Sequence, residues 1–334
     1  AEAPGGLLSA ATGLGPDAGL SLRLDGEGPL DAWRGRLDGE LGDARVDAEL
    51  TVDGPAAGLR FEGRLVPGTL LSAAAGGAGE GGLDAPFDLA AHIQHDAADE
   101  RLSVTGLRLD HPAAEIAGDL AVGLTDGDVE ARLTLTQRSP EGLAALLRLD
   151  AAQQLKLAVA AVGTLPRPEL TVIGEAGSLA VAGFEASGLK LRSMASPVGD
   201  GWRFDAALAS SQLLCEDPRI APLLGGAASL ALAGQWAREE GLTLERIDLQ
   251  GPAASLAGRA ELDPASGRVA APLSLAVSDL RALAGWTGLE FAGGADLNLD
   301  FDRGAGGDPW RLTFDGKTRD LAVDVPVLRA LVST

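Results

Sequence analysis

Leu102 to Val122 reads LSVTGLRLDHPAAEIAGDLAV, and Leu242 to Leu262 reads LTLERIDLQGPAASLAGRAEL. The two stretches align without a gap at a constant numbering offset of 140 (242 less 102). The alignment pairs Leu102 with Leu242, Leu107 with Ile247, Leu109 with Leu249, Pro112-Ala113-Ala114 with Pro252-Ala253-Ala254, and Gly118 with Gly258. The register runs on through Gly127 and Gly267, Val129 and Val269, Leu133 and Leu273, and Leu135 and Leu275. Matched apolar positions beside divergent polar ones mark a duplicated structural unit, because packing constrains only the buried side.

Each copy encodes a strand hairpin. Val104, Leu107 and Leu109, then Ile116, Leu120 and Val122, form short runs broken by Asp-His-Pro, and the second copy breaks at Gln-Gly-Pro. Proline fixes φ and supplies no N–H, so it belongs at the turn. A second signature, Asp31-Ala32-Trp33-Arg34-Gly35-Arg36-Leu37-Asp38-Gly39, returns as Asp308-Pro309-Trp310-Arg311-Leu312-Thr313-Phe314-Asp315-Gly316 at an offset of 277, close to twice 140. Arg167 to Gly174 carries a degraded middle copy.

Outside these signatures the dominant pattern is alternation. Leu20, Leu22 and Leu24 point one way and Ser21, Arg23 and Asp25 the other; Val46, Ala48, Leu50 and Val52 alternate with Arg45, Asp47, Glu49 and Thr51. A period of two is a strand with one apolar face. Asp25-Gly26, Asp38-Gly39 and Asp53-Gly54 predict turns closing these runs. Ser72 to Gly82 predicts a flexible small-residue loop. Ser139 to Arg148 and Ser278 to Trp286 read as short helices beside the sheet, the first with a serine cap and a following proline; Pro326 to Val332 reads as the start of a third. Strands are expected to be five to nine residues long. The fold class that follows is all-β: an elongated, curled, mostly antiparallel β-sheet in the form of a repeating groove, with a few short helices. The whole of 1–334 reads as one continuous repeat array, with approximate units at 1–100, 101–240 and 241–334, the outer two partial.

Composition excludes several functions. The formal net charge is −21, which argues against nucleic acid, whose binding needs Lys and Arg to replace counterions, and against adsorption to anionic headgroups. An acidic exterior keeps a Leu-rich chain soluble. The one cysteine, Cys215, permits neither an intrachain disulfide nor a cysteine-based metal site. No run approaches the length of a membrane-spanning helix, and the opening AEAPGGLLSA lacks the basic and apolar regions of a signal peptide. Tyr is absent and other aromatics are few, so an aliphatic, open architecture is expected rather than an aromatic core.

Candidate chemistry is sparse. His92 and His95 form His-x-x-His with His111 nearby, but residues three apart on a strand face opposite sides, so no metal is expected. There is no nucleophile elbow, phosphate-binding loop or zinc-protease motif, and no catalytic residue or cofactor is assigned. Each Trp of the Trp-Arg pairs at 33, 202 and 310 is expected to pack inward while its Arg stays wet.

What remains is the aliphatic face. The residues expected to line it are Leu22, Leu24, Val46, Leu50, Val52, Val104, Leu107, Leu109, Ile116, Leu133, Leu135, Leu157 and Val159 in the first half, and Leu244, Ile247, Leu249, Leu256, Leu273, Leu275, Leu297, Leu299 and Phe301 in the second. An apolar trough with a charged outer wall suits acyl chains, each buried methylene contributing about 0.8 kcal/mol. The alternatives are a structural or surface β-repeat scaffold with a closed core and no lipid cargo, and a polysaccharide-acting β-helix enzyme.

The chain resembles the TamB family, the inner-membrane component of the translocation and assembly module, within the AsmA-like group. The resemblance lies in Leu22-x-Leu24-x-Gly26-x-Gly28-Pro29-Leu30-x-x-Trp33-Arg34, in Leu102 to Gly118, in the segments SPEGLAALL and SDLRALAGW, and in Gly163-Thr164-Leu165-Pro166-Arg167-Pro168-Glu169-Leu170. It implies a non-enzymatic segment of a bridge in the periplasm of a Gram-negative bacterium. Such a bridge carries phospholipid acyl chains between inner and outer membranes or assists outer-membrane protein assembly. An Omp85-type partner is implied through regions outside this chain, as is the membrane association.

Overall fold

The computed structural model describes residues 20–29, 31–53, 58–67, 85–140, 144, 149–237, 241–287, 290–304 and 309–324. The expected loop at 72–82, the segment 326–332, the start of the chain and most of the segment 139–148 lie outside them. The fold is all-β and antiparallel, and it falls into two units, Ala1–Pro168 and Glu169–Thr334.

The first unit carries β1 (Leu20–Glu27), β2 (Arg34–Leu41), β3 (Ala44–Asp53), β4 (Gly58–Val66), β5 (Phe87–Asp96), β6 (Arg101–Asp110), β7 (Ala114–Gly123), β8 (Asp128–Gln137), β9 (Ala151–Gln153) and β10 (Lys156–Thr164). Each strand from β1 to β7 pairs antiparallel with the next, and β10 pairs antiparallel with β8. The second unit is a meander of β11 (Glu169–Val181), β12 (Phe184–Val198), β13 (Gly201–Cys215), β14 (Gly226–Ala237), β15 (Gly241–Gln250), β16 (Ala254–Asp263), β17 (Arg268–Val277), β18 (Glu290–Arg303) and β19 (Trp310–Asp324), each paired with its successor. Its helical content among the described residues is one turn at Ala221–Leu224 and a 3-10 turn, Leu280–Leu283, running into Ala284–Thr287.

The sequence repeat reappears in the backbone. The bounds of β6, β7 and β8 map onto those of β15, β16 and β17 at the same offset as the sequence. The ladder breaks register between Val104 and Leu107 in one copy and between Leu244 and Ile247 in the other, so a bulge occupies the same repeat position twice. Turn bonds follow the same offset: His111 N–H donates to the Ala114 carbonyl and Gly251 N–H to that of Ala254, while Arg138 N–H donates to Ala113 and Ser278 N–H to Ala253. The matched glycines share one cause. A Cβ at Gly118 would stand 2.0 Å from the Arg132 carbonyl oxygen, and one at Gly258 would stand 2.4 Å from that of Pro272, the repeat counterpart of Arg132.

Two expectations about strands are corrected. Apart from three-residue β9, strands run from eight to fifteen residues, longer than expected. Leu170–Ile173 and Leu179–Val181 are parts of one strand, because glycines inside the long strands bend the ladder without ending it; Gly188, at φ +58°, sits within β12. The Asp-Gly dipeptides at 25–26 and 38–39 lie within β1 and β2, and the β2–β3 turn is made by Gly42-Asp43 instead. The glycines there serve space. A Cβ at Gly26 or Gly35 would come within 2.1 Å of the Trp33 indole, which lies across both. Asp53 ends β3, and Gly54 is outside the described residues.

Short helical turns seal one end of the second unit's sheet. Leu280 and Ala282 are buried, with Val277, Ala254 and Ala295 beneath Leu280 and Leu223, Leu283 and Phe291 packed around them. The 3-10 turn is capped by Asp279, whose carboxylate accepts from Arg281 N–H at 3.0 Å; Ser278 Oγ is turned to the Ala253 carbonyl.

Candidate apolar binding face

Residues paired directly across an antiparallel ladder project to the same side, so the registers decide which candidate residues share a face. In the first unit one row runs Leu24–Leu37–Ala48–Gly63–Leu89–Leu109–Ile116–Leu135–Leu157. Leu22 and Val46 lie in the row Leu22–Gly39–Val46–Leu65–Phe87, and Leu50 in Gly35–Leu50–Phe61–Ala91. Beyond the bulge, Leu107, Gly118, Leu133 and Val159 pair in line, and Val52–Leu59–Ile93–Val104–Leu120–Ala131–Ala161 forms a further row.

The second unit repeats the arrangement. Leu208–Leu230–Leu249–Leu256–Leu275–Leu297–Gly316 is one row and Ala206–Leu232–Ile247–Gly258–Leu273–Leu299–Phe314 the next. Leu244 pairs with Gly234 and Ala260, and Phe301 with Ala271 and Leu312, on the same side. Sequence periodicity thus places its candidates together within each unit.

Their exposure carries the chemical meaning. Leu50 alone among them is buried, at 6 %, and Leu22 and Leu24, on β1, are 58 % exposed; all the others are half-buried. A sealed β-core would take such side chains to near-complete burial. The result is a contiguous, mostly aliphatic surface that remains partly accessible.

The other side of each sheet is charged. Arg36 pairs with Asp47, Arg64 with Asp88 at 3.4 Å, Arg138 with Asp110 and with Glu115 at 2.6 Å, Arg246 with Asp205 at 2.9 Å, and Arg319 with Asp296 at 3.1 Å. Exposed pairs of this kind are screened by solvent and add little stability; their main effect is to keep this face in water. Among the described residues no cluster of three His, Cys, Asp or Glu side chains could hold a metal ion, and no helix is long and apolar enough to cross a membrane. His92 pairs with Arg60 on the charged side and its Nε2 lies 2.9 Å from the Gln94 amide nitrogen, while His95 pairs with Leu102 on the apolar side.

The Trp-Arg expectation holds at two of three positions. Trp33 and Trp202 are half-buried with Arg34 and Arg203 exposed. Trp310 is 66 % exposed and only stacks on Phe301, ring centroids 6.4 Å apart. The reason is steric: the repeat positions of Gly26 and Gly35, which admit the Trp33 indole, are occupied by Arg303 and Leu312.

Sequence reasoning gives His111 no role beyond its nearness to a metal-like motif, and the structure gives it a different place. It is 2 % exposed, lies against Phe87 with the rings tilted by 32° and centroids 4.6 Å apart, and its Nδ1 accepts from Ala113 N–H at 3.0 Å. The proton therefore sits on Nε2, which makes no well-formed hydrogen bond among the described residues. Burial pushes its pKa down, and the nearby Ala85 backbone, too poorly aligned to satisfy the ring N–H, only partly opposes this. A folded-state value below the unfolded one means the unfolded chain takes up the extra proton, so the contribution of His111 is intact above the ordinary value of 6.5 and is lost as pH falls below it. Denaturant titrations from pH 8 to pH 5 should show that loss in the wild type, and a shallower dependence in His111→Phe.

Comparisons with known protein families, with curated proteins and with solved structures find no match. The class defined by fold and site is a repeating antiparallel β-sheet protein with one charged side and one accessible aliphatic side.

Proposed function

We propose that this chain is a non-enzymatic lipid-handling segment whose aliphatic face shields phospholipid acyl chains. The observation that carries the reading is the half-burial of the Leu, Ile and Val rows. An acyl chain lying on them removes apolar surface on both partners at roughly 25 cal/mol per Å². The charged side gives a reason for the net charge of −21 that requires no cationic partner. The sequence resemblance to TamB supports a periplasmic bridge between inner and outer membranes, contributing to phospholipid passage or outer-membrane protein assembly, with an Omp85-type protein engaged through other regions.

Binding of a fluorescent phospholipid, and its transfer between donor and acceptor vesicles, tests the reading. Saturable binding and accelerated transfer are expected. A chain that neither binds the probe nor speeds transfer is a scaffold without lipid cargo.

A further inference from the structure

The aliphatic face of the second unit has two unlike ends. At one, the Leu280–Leu283 turn closes over Val277 and Ala295. At the other, the last row along the strand ends runs Trp202–Trp236–Leu242–Leu262–Val269–Arg303–Trp310. Trp236 is 45 % exposed, Leu262 39 % and Trp310 66 %. Arg303 is exposed, stands on the apolar side of its strand, and forms no ion pair among the described residues, whereas Asp302 beside it faces the charged side. The matching row of the first unit, His95–Leu102–Val122–Val129–Gly163, has neither tryptophan nor arginine.

Tryptophan suits a boundary where one end of the ring is in oil and the other in water. The rows between this rim and the sealed end are apolar, aliphatic apart from Phe204, Phe301 and Phe314. From Trp236 to Leu230 is about 20 Å of strand, comparable to the half-thickness of roughly 15 Å that a bilayer core of about 30 Å allots one acyl chain. A cation at the mouth of an oily surface, without an ion-pair partner among the described residues, is matched by an anionic head on an apolar tail.

Resting on the lipid-handling reading, we propose that the Trp236–Arg303–Trp310 rim is a headgroup station: a glycerophospholipid binds the second unit with its phosphate at Arg303, its glycerol region between Trp236 and Trp310, and its chains directed toward Leu280. The ligand class is a diacyl lipid bearing a phosphate, as opposed to a neutral diacylglycerol.

Tryptophan quenching by brominated phosphatidylglycerol tests this. The quenching owed to the rim is the difference between the wild type and Trp236→Phe/Trp310→Phe, a variant altered only at exposed positions. Bromines near the glycerol end of the chain should quench that component about two- to threefold more than bromines near the methyl end, as expected for rings at the interface. Arg303→Gln should weaken phosphatidylglycerol binding by about tenfold while leaving diacylglycerol of the same chains unchanged, the loss expected for a charge-assisted phosphate contact. Stronger quenching from the methyl end, or an Arg303→Gln variant with unaltered phospholipid preference, overturns the headgroup station while lipid binding itself stands. Absence of binding by any lipid removes the lipid-handling reading and this inference with it.

Discussion

Gly258→Val should cost the second unit about 3 kcal/mol or more, lowering its thermal midpoint by roughly 10 °C. The reason is local and hard. A Cβ at this position would stand 2.4 Å from the Pro272 carbonyl oxygen and 2.9 Å from Leu273 Cα, both backbone atoms of β17 that cannot move without opening the β16–β17 ladder. Gly118→Val should do the same to the first unit through the Arg132 carbonyl. Gly267→Ala is the informative comparison. Gly267 has φ +71° with nothing within 4 Å of a Cβ, so it carries only the left-handed backbone penalty of about 1 kcal/mol. Thermal unfolding of the three variants should rank them accordingly; equal losses at Gly258 and Gly267 would mean that β16 and β17 do not approach as closely as the structure has them.

Leu273→Asp should reduce phospholipid binding by about thirtyfold. Leu273 stands mid-face between Gly258 and Leu299, half-buried, where a carboxylate would meet an acyl chain. Losing two or three methylene contacts removes about 2 kcal/mol. Ser274→Asp, one residue away on the charged side and exposed, should change binding less than threefold. Leu273→Gln, which adds no charge, keeps the comparison meaningful if the carboxylate disturbs folding. Equilibrium titration with a fluorescent phospholipid measures all three, and equal effects at 273 and 274 would show that the face is wrongly assigned.

The fold class and the membership of the apolar face were legible because both rest on a period of two, which is local. Leu109, Ile116 and Leu135 fall in one row as their alternation requires. Turn placement was less legible. Asp38-Gly39 resembles a hairpin turn, yet Gly39 is buried in β2 because a Cβ there would meet Val46 and Leu22 across the ladder. The spacing of Gly26 and Gly35 around Trp33 was the available signal, since glycines facing a large indole make room for it. The rim could not be found from sequence at all. Trp202 and Trp236 lie far from Arg303 and Trp310 in the chain, and the four meet in one row only because every intervening hairpin fixes its register. Likewise the repeated bulge at 104–107 and 244–247 leaves no mark in the apolar pattern except a gap of three where two is expected.

Native mass spectrometry of the purified chain, released gently from the cell extract in which it is produced, measures most directly whether the aliphatic rows hold a guest. Adducts with phospholipid masses are predicted, diminished in Leu273→Asp and retained in Ser274→Asp. A bare chain that stays bare after incubation with excess phospholipid would contradict the proposal.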